Sequence, residues 1–356
     1  MDDVVLIDKK KSHYYYYFNK SNGLSIRSEY KDFEEPSWSV EGPELLDVSI
    51  TNYCERGCNF CYRDSSVDGK HMSIHDFEII MEYMKEANTY QIALGGGNPN
   101  QHPNFVEILK MCREKYGIVP SYTTNGDGLT KEILMASKKY CGAVAISYYD
   151  PFKKFRTALK NIISYGIKTN VHFLLTPKTI KTAMDWLRNP PEFLNGINAI
   201  VFLNYKPVGF NASNSLLLKN SDYIKEFFAL ISKHDISRFK IGFDSCTVSG
   251  IVENLNVNPS FIEACEAGRF SAFISENMRL YPCSFMEKNS EGKDLANISL
   301  KEAWLNSIDF LAMRDKINSN ACKNSCKYEK HCKGGCPIFS EINICNNSIQ
   351  TFKGNT

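Results

Sequence analysis

The sequence lacks the features that place a chain in a membrane, in an export pathway or on nucleic acid. It contains no run of 18 apolar residues, so no transmembrane helix is predicted. Its first residues, MDDVVLIDKKK, lack the ordered basic, apolar and small-residue regions of a signal peptide. The formal net charge is only +2, which gives no basic excess for nucleic acid. We therefore expect a cytoplasmic protein that binds neither membrane nor nucleic acid.

Cysteine, in contrast, is abundant. The 356 residues include thirteen cysteines, and in a reducing compartment these are better explained as metal ligands than as disulfides. Eight of them follow residue 240, and four lie in the short segment CKNSCKYEKHCKGGC at 322–336. That segment admits a zinc site as an alternative, because His331 lies among its paired cysteines.

Three cysteines near the N-terminal end form the most informative motif. Cys54, Cys58 and Cys61 have the spacing Cys-x3-Cys-x2-Cys on one short loop, which favours an iron-sulfur cluster over disulfides. A 4Fe-4S cube has four irons, so three protein ligands leave one iron open to a ligand that is not protein. The motif therefore predicts a reaction centre.

In the residues that follow, short apolar runs alternate with stretches whose apolar residues recur at helical spacing. Six strands are predicted, at 45–51, 91–94, 119–123, 142–148, 170–175 and 199–205. Helices are predicted between them, beginning with one capped by Ser73 and continuing at 105–115, 129–139, 152–165 and 178–188. This alternation indicates a parallel sheet with right-handed crossovers.

Each of the first four predicted strands is followed by a polar or glycine-rich motif. The cysteine loop follows the first strand, and the motifs at 95–99, 123–126 and 147–150 follow the next three. Singly, such motifs are typical of turns. Together they predict a functional rim at the carboxyl ends of the strands.

The cysteine loop after the first of six strands resembles the radical S-adenosylmethionine (radical SAM) superfamily over residues 45–240. The resemblance implies a partial (β/α)6 TIM-like barrel. It also implies that S-adenosylmethionine chelates the open iron and is cleaved by one electron. The resulting 5'-deoxyadenosyl radical then abstracts a hydrogen atom from the substrate.

The resemblance also assigns site residues. It implies that Cys54, Cys58 and Cys61 hold the cluster and that the cofactor meets Phe60, Tyr62, Gly95, Gly96, Gly97, Asn98, Thr124, Asn125 and Ser147. The sequence departs from the family's Gly-Gly-Glu-Pro element, because Asn98 stands where the family has a carboxylate. Asn98 can accept a hydrogen bond but cannot form a charge-assisted pair with the cofactor's amino group.

The second half resembles the SPASM domain of peptide-modifying radical SAM enzymes, over residues 246–345. That resemblance implies two auxiliary 4Fe-4S clusters, and hence three clusters in all. The inner cluster would use Cys246, Cys265, Cys283 and Cys336, and the outer one Cys322, Cys326, Cys332 and Cys345. If Cys246 is not a ligand, the inner cluster keeps an open iron. The two remaining cysteines, Cys112 and Cys141, are predicted to be core residues, with a thiol hydrogen donor as the alternative.

We predict three parts: a β-hairpin extension at 1–44, the barrel at 45–240 and the auxiliary-cluster domain at 241–356. The hairpin is indicated by an aromatic run at 13–18 and an Asn22-Gly23 turn. It either offers an edge to an extended peptide or covers the open bottom or side of the barrel. It is shorter than the winged-helix leader-recognition domain of some peptide maturases.

The resemblance implies a peptide substrate. We expect an enzyme that oxidatively matures a ribosomally made precursor peptide through a thioether or carbon-carbon crosslink, with a flavodoxin or ferredoxin type electron donor. Ser284 stands where sulfatase maturases carry an acidic base, which disfavours that activity. The alternatives are peptide epimerisation, a small metabolite as substrate, and a non-catalytic iron-sulfur electron carrier. The sequence does not distinguish among five candidate bases: Asp150, His172, Tyr205, Lys206 and Asp244.

Overall fold

The computed structural model describes residues 4–31, 36–149, 152–258, 261–319, 322 and 326–345. Within them the strands are β1 (Val4–Lys9), β2 (Tyr14–Asn19), β3 (Ser25–Glu29), β4 (Leu45–Thr51), β5 (Gln91–Gly96), β6 (Val119–Thr124), β7 (Ala143–Ser147), β8 (Thr169–Leu175), β9 (Ala199–Asn204), β10 (Lys240–Phe243), β11 (Ser271–Ile274), β12 (Arg279–Tyr281) and β13 (Lys293–Asp294). The helices are α1 (Ile74–Glu86), α2 (Phe105–Lys110), α3 (Lys131–Tyr140), α4 (Phe152–Ser164), α5 (Ile180–Arg188), α6 (Asp222–Ile231), α7 (Val248–Asn254), α8 (Leu300–Asn306), α9 (Ile308–Asn318) and α10 (Glu329–Cys332). No helix in these ranges is long and apolar enough to cross a membrane.

A ten-stranded sheet forms the centre of the molecule. Its order is β10-β9-β8-β7-β6-β5-β4-β11-β12-β13, and β4 to β10 are parallel to their neighbours. All six predicted strands are present, and the α/β class with a partial barrel is confirmed. Over the described residues β10 and β13 are the two edges, so the sheet does not close. The predicted helix at 105–115 is α2, continued by a π-helical turn at Met111–Lys115.

Alternation in the strands divides the core from the barrel interior. In β4, Leu46, Val48 and Ile50 are fully buried in the main hydrophobic core, which includes Phe77 and Met81 of α1. The residues between them in β4 are polar, and they turn to the opposite side of the sheet. Parallel strands are usually apolar on both faces, so these polar positions mark a face that does not pack as ordinary core.

The C-terminal hairpin extends the barrel sheet. β11 pairs in parallel with β4, so that Ala272 lies beside Leu46, and β12 then returns antiparallel to β11. At the other edge β10, which was not among the predicted strands, pairs in parallel with β9. One sheet therefore spans the boundary predicted at residue 240.

The N-terminal strands form a separate antiparallel sheet of order β1-β2-β3. The predicted hairpin is β2 and β3, with Gly23 at a φ of +77° in its turn, and β1 is an additional strand. Tyr14, Tyr16 and Phe18 of β2 are buried against Val119, where β6 begins. Gln91, where β5 begins, donates a hydrogen bond to the Tyr16 hydroxyl. The sheet thus lies over the amino ends of barrel strands, which agrees with the covering role among the two alternatives.

Candidate active site

A cavity of about 490 Å³ opens at the carboxyl ends of the barrel strands. Of the twelve residues predicted for the cluster and the cofactor, eleven line it, all but Asn98: Cys54, Cys58, Phe60, Cys61, Tyr62, Gly95, Gly96, Gly97, Thr124, Asn125 and Ser147. They come from four successive strand ends, as the rim prediction requires. We call this space the central cavity.

The loop after β4 directs three thiols to this cavity. The backbone N–H of Cys61 donates to the carbonyl of Cys58 at 3.1 Å, and the Asn125 amide donates to Cys54 Sγ at 3.5 Å. Burial raises the pKa of the Cys58 thiol to about 11. Without a metal that thiol is protonated at neutral pH, and iron binding must displace the proton.

The donor set suits a cluster whose irons each take one thiolate. Three soft thiol ligands on one wall, with polar and glycine residues on the facing strand ends, match that chemistry. Across the described ranges no three His, Cys, Asp or Glu side chains are arranged to hold a single metal ion.

The glycines after β5 allow two backbone segments to meet. The N–H of Gly97 donates to the Thr51 carbonyl at 2.7 Å, and the N–H of Asn98 donates to the Tyr53 carbonyl at 2.9 Å. A Cβ on Gly97 would lie 2.1 Å from the Tyr53 oxygen, whereas a Cβ on Gly95 would meet nothing within 4 Å. Gly97 therefore permits contact with the cysteine loop, and Gly95 leaves space in the cavity.

Asn98 takes part in a network within the protein. Its side chain is fully buried; its Oδ1 accepts from the Thr124 hydroxyl at 3.1 Å and from the Asn125 N–H at 3.2 Å. Its Nδ2 donates to the Asp127 carbonyl at 2.9 Å. Its cofactor role stays a prediction. In the structure the amide joins the loops after β5 and β6, and its Nδ2 donates a hydrogen bond that a carboxylate at this position could not donate.

Aromatic residues border the cysteine loop. The ring of Phe60 lies 5.4 Å from that of Tyr149, and the ring of Tyr62 lies 4.7 Å from that of Phe285. Tyr149 and Phe285 also line the central cavity but were not identified from the sequence. Tyr149 lies in the motif at 147–150 after the fourth predicted strand, and that position was the sequence signal that could have identified it.

Arg63 connects the cysteine loop to the C-terminal hairpin. Its guanidinium is buried, donates to Glu276 at 2.5 Å and also pairs with Glu287. Glu276 lies between β11 and β12 and accepts a further bond, at 2.8 Å, from the Ser49 hydroxyl. The loop that carries the three cysteines is thereby tied to residues more than 200 positions later.

The structure brings the four cysteines assigned to the inner cluster close to one another. Cys246, Cys265 and Cys283 line the central cavity, and the thiols of Cys246 and Cys336 are near enough to hydrogen-bond. Cys265 and Cys283 pack in one hydrophobic cluster. Burial raises the pKa of the Cys283 thiol to about 12.

The cysteines assigned to the outer cluster share a second, smaller cavity. It has a volume of about 140 Å³ and is lined by Cys322, Cys326, Cys332 and Cys345. Cys336 lines it as well, so this residue lies between the two cysteine groups. The two leftover cysteines do not line either cavity; Cys112 is fully buried in the main core, and Cys141 packs against that core.

Four of the five candidate bases line the central cavity, and Asp150 lies outside the described residues. Lys206 and Asp244 form an ion pair, which together with the Cys246 and Cys336 thiols raises the Lys206 pKa against the effect of burial. Burial lowers the pKa of His172 to about 4, so its imidazole is neutral at pH 7. Its Nδ1 lies 3.5 Å from the Thr123 hydroxyl.

Asp47 is an acid in the cavity that sequence analysis missed. It lies on β4 between Leu46 and Val48, which pack in the main hydrophobic core, and its side chain lines the central cavity on the other face of the sheet. Its side chain is exposed within the cavity. Burial, with a smaller effect of Glu266, raises its pKa to about 6. An acidic residue in the middle of a predicted barrel strand was the signal that could have identified it.

Comparison with known families identifies the domain. Residues 48–188 match the radical SAM superfamily. The chain carries a radical SAM domain. This domain contains the cysteine loop, the glycine motif and the ends of β5, β6, β7 and β8.

Curated relatives extend beyond the radical SAM domain. The mycofactocin maturase MftC of Mycobacterium tuberculosis is 22% identical over 318 residues, which are 83% of this chain and 79% of the relative. A probable GTP 3',8-cyclase of Saccharolobus islandicus is 26% identical over 270 residues, covering 69% of this chain and 84% of the relative.

Solved structures share the fold of this chain. SuiB of Streptococcus suis bound to its precursor peptide SuiA superposes with a TM-score of 0.74 at 15% identity, over 98% of this chain and 99% of SuiB. anSMEcpe with bound AdoMet gives a TM-score of 0.63 at 17% identity, over 87% of this chain and 91% of that protein. The fold found in these proteins thus accounts for nearly the whole described chain.

Proposed function

We propose that this radical SAM enzyme oxidatively matures a ribosomally made precursor peptide, forming a thioether or carbon-carbon crosslink. The observation that carries the proposal is that one cavity is lined both by Cys54, Cys58 and Cys61 and by Cys246, Cys265 and Cys283. A substrate held there lies between the site that starts the reaction and a second set of thiols that can hold an electron acceptor.

The cofactors implied are S-adenosylmethionine, one 4Fe-4S cluster at the cysteine loop and two auxiliary 4Fe-4S clusters. When bound, the first cluster and S-adenosylmethionine supply the radical that abstracts hydrogen. The chain contributes the cavity: the rings of Phe60, Tyr62 and Tyr149 line it and limit the access of water, and Gly95 leaves space in it. Grouping of the later cysteines around two cavities supports two auxiliary sites, with Cys246 in the inner one.

Comparison supports a peptide as the substrate class. MftC is named a maturase, SuiB was solved with a precursor peptide, and anSMEcpe was solved with AdoMet and a peptide. We expect the electron donor to be a flavodoxin or ferredoxin, because each catalytic cycle begins with one electron delivered to the cluster.

The test is direct. The reconstituted protein is incubated anaerobically with S-adenosylmethionine, a reductant and the small peptide encoded next to its gene. Crosslinking lowers the peptide mass by two hydrogens, about 2 Da, for each bond formed. A peptide whose mass and residue configurations both stay unchanged while 5'-deoxyadenosine accumulates contradicts the proposed substrate. An epimerised peptide, with unchanged mass but inverted residues, supports the epimerase alternative.

A small metabolite is the second candidate substrate, because the GTP 3',8-cyclase relative covers 69% of this chain at 26% identity. Adding GTP or other nucleotides in place of the peptide distinguishes the two. The non-catalytic electron carrier is eliminated if reductive formation of 5'-deoxyadenosine is lost when Cys54, Cys58 and Cys61 are replaced by alanine.

A further inference from the structure

Asp47 is set deeper in the barrel than the residues predicted to meet the cofactor. In the register of β4 and β5, Ser49 lies beside Gly95, and Asp47 lies beside Ala93, one inward step closer to the amino ends of the strands. Asp47 therefore lines the part of the central cavity below the glycine motif, where a substrate group rather than the cofactor would lie.

The surroundings of Asp47 form a small subsite. On one side β11 places Phe273 directly beside it on the same face of the sheet, and on the other side the small Ala93 leaves room. Tyr62 is near enough for the Asp47 charge to raise its pKa. All four residues line the central cavity. We call them the floor subsite: an aromatic-walled recess with one carboxylate.

The carboxylate lacks a cation. Over the described ranges of the chain, the Asp47 side chain has no hydrogen bond or ion pair, and the one charge that affects its pKa is the like charge of Glu266. The neighbouring cations are already committed, Lys206 to Asp244 and Arg63 to Glu276 and Glu287. The Asp47 carboxylate is accessible within the cavity and has no cationic partner from the described residues, so it is free to pair with a cation of a ligand that enters the cavity.

We propose that the floor subsite binds a positively charged side chain of the substrate, an ammonium or a guanidinium on an aliphatic stem, through the Asp47 carboxylate. The ring of Tyr62 suits such a group, since aromatic faces attract cations and pack against methylene stems. The Phe273 ring already has the Arg63 guanidinium 5.0 Å from its centroid, so Phe273 contributes an apolar wall. This inference rests on the proposed function for the identity of the whole substrate, a peptide, but not for the chemistry of the subsite.

Fragment binding tests the subsite without the peptide or turnover. The probes are n-butylammonium, its neutral analogue 1-butanol and the anion pentanoate, titrated into the full-length protein with its cofactors and followed by saturation-transfer NMR. We expect n-butylammonium to bind at least about tenfold more tightly than either analogue, and the Asp47→Asn variant to lose that preference. Glu266→Gln is the matched control, because it removes a nearby charge that does not line the cavity. It should keep the preference.

Two outcomes overturn the proposal: equal binding of n-butylammonium and 1-butanol to the wild type, or unchanged n-butylammonium binding in Asp47→Asn. Thermal unfolding checks that each variant is folded. If Asp47→Asn is not folded, Asp47→Ser takes its place. If fragment binding follows the charge but the peptide encoded next to the gene is not modified, the proposed function fails and the subsite stands. If that peptide is modified but the fragments bind equally, the proposed function stands and the subsite fails.

Discussion

Two glycines of one motif should respond in opposite ways to the same substitution. A methyl group on Gly97 would lie 2.1 Å from the Tyr53 carbonyl oxygen, whereas real Cβ contacts stay above 3.0 Å. The backbone next to Cys54 must therefore move by about 1 Å. Overpacking of this kind costs ~2 kcal/mol. With an unfolding entropy of about 2.1 cal/mol/K per residue over 356 residues, Gly97→Ala should lower Tm by roughly 3 °C.

Gly95→Ala should leave stability within ~1 kcal/mol of wild type, because its Cβ meets nothing within 4 Å and alanine restricts the unfolded chain. The methyl group enters the central cavity instead, so S-adenosylmethionine binding should weaken. Anaerobic thermal unfolding and equilibrium dialysis with S-adenosylmethionine measure the two effects. Equal destabilisation by both variants, or a Gly97→Ala protein with wild-type stability and iron content, would refute the steric reasoning.

Three further changes test other parts of the structure. Arg63→Met should destabilise the protein by ~3 kcal/mol in urea unfolding, because it leaves Glu276 buried without its cation; adding Glu276→Gln should restore part of that loss. His172 has a folded pKa of about 4 against 6.5 in the unfolded chain, so its contribution to stability is complete above pH 6.5 and falls as pH drops towards 4. The wild type should therefore lose free energy of unfolding between pH 7.5 and 5.5, and His172→Gln should lose less over the same range. With three cubes the wild type should contain about twelve irons; Cys322→Ala should lower that count in an iron assay, and Cys112→Ala should not.

The barrel could be predicted because its strands and its cluster loop each produce a pattern within a few consecutive residues. The six strands follow from short apolar runs, and the cluster loop follows from the spacing of Cys54, Cys58 and Cys61. The attachment of the β11–β12 hairpin to β4 could not be predicted in this way, because pairing Ala272 with Leu46 depends on a contact across more than 200 residues.

Side-chain roles were predicted less well where they depend on packing. The cofactor contact of Asn98 stays a prediction, whereas the bonds of both its amide atoms to the end of β6 and the loop after it are revealed only by the folded geometry. Asp47 carried a signal in the sequence, but a single acid in a strand does not disclose which face it occupies or whether a cation lies near it. The grouping of the late cysteines likewise came from resemblance and could not be deduced from spacing alone.

The contacts of Arg63 have a consequence for the order in which the protein matures. The cysteine loop is synthesised early, but its brace, Glu276 and Glu287, emerges from the ribosome more than 200 residues later. We therefore expect the loop to reach its final shape only after the C-terminal hairpin has joined the sheet. We expect iron-sulfur insertion at the first motif to follow release of the nearly complete chain, so that the earliest cysteines in the sequence are among the last to become a working centre.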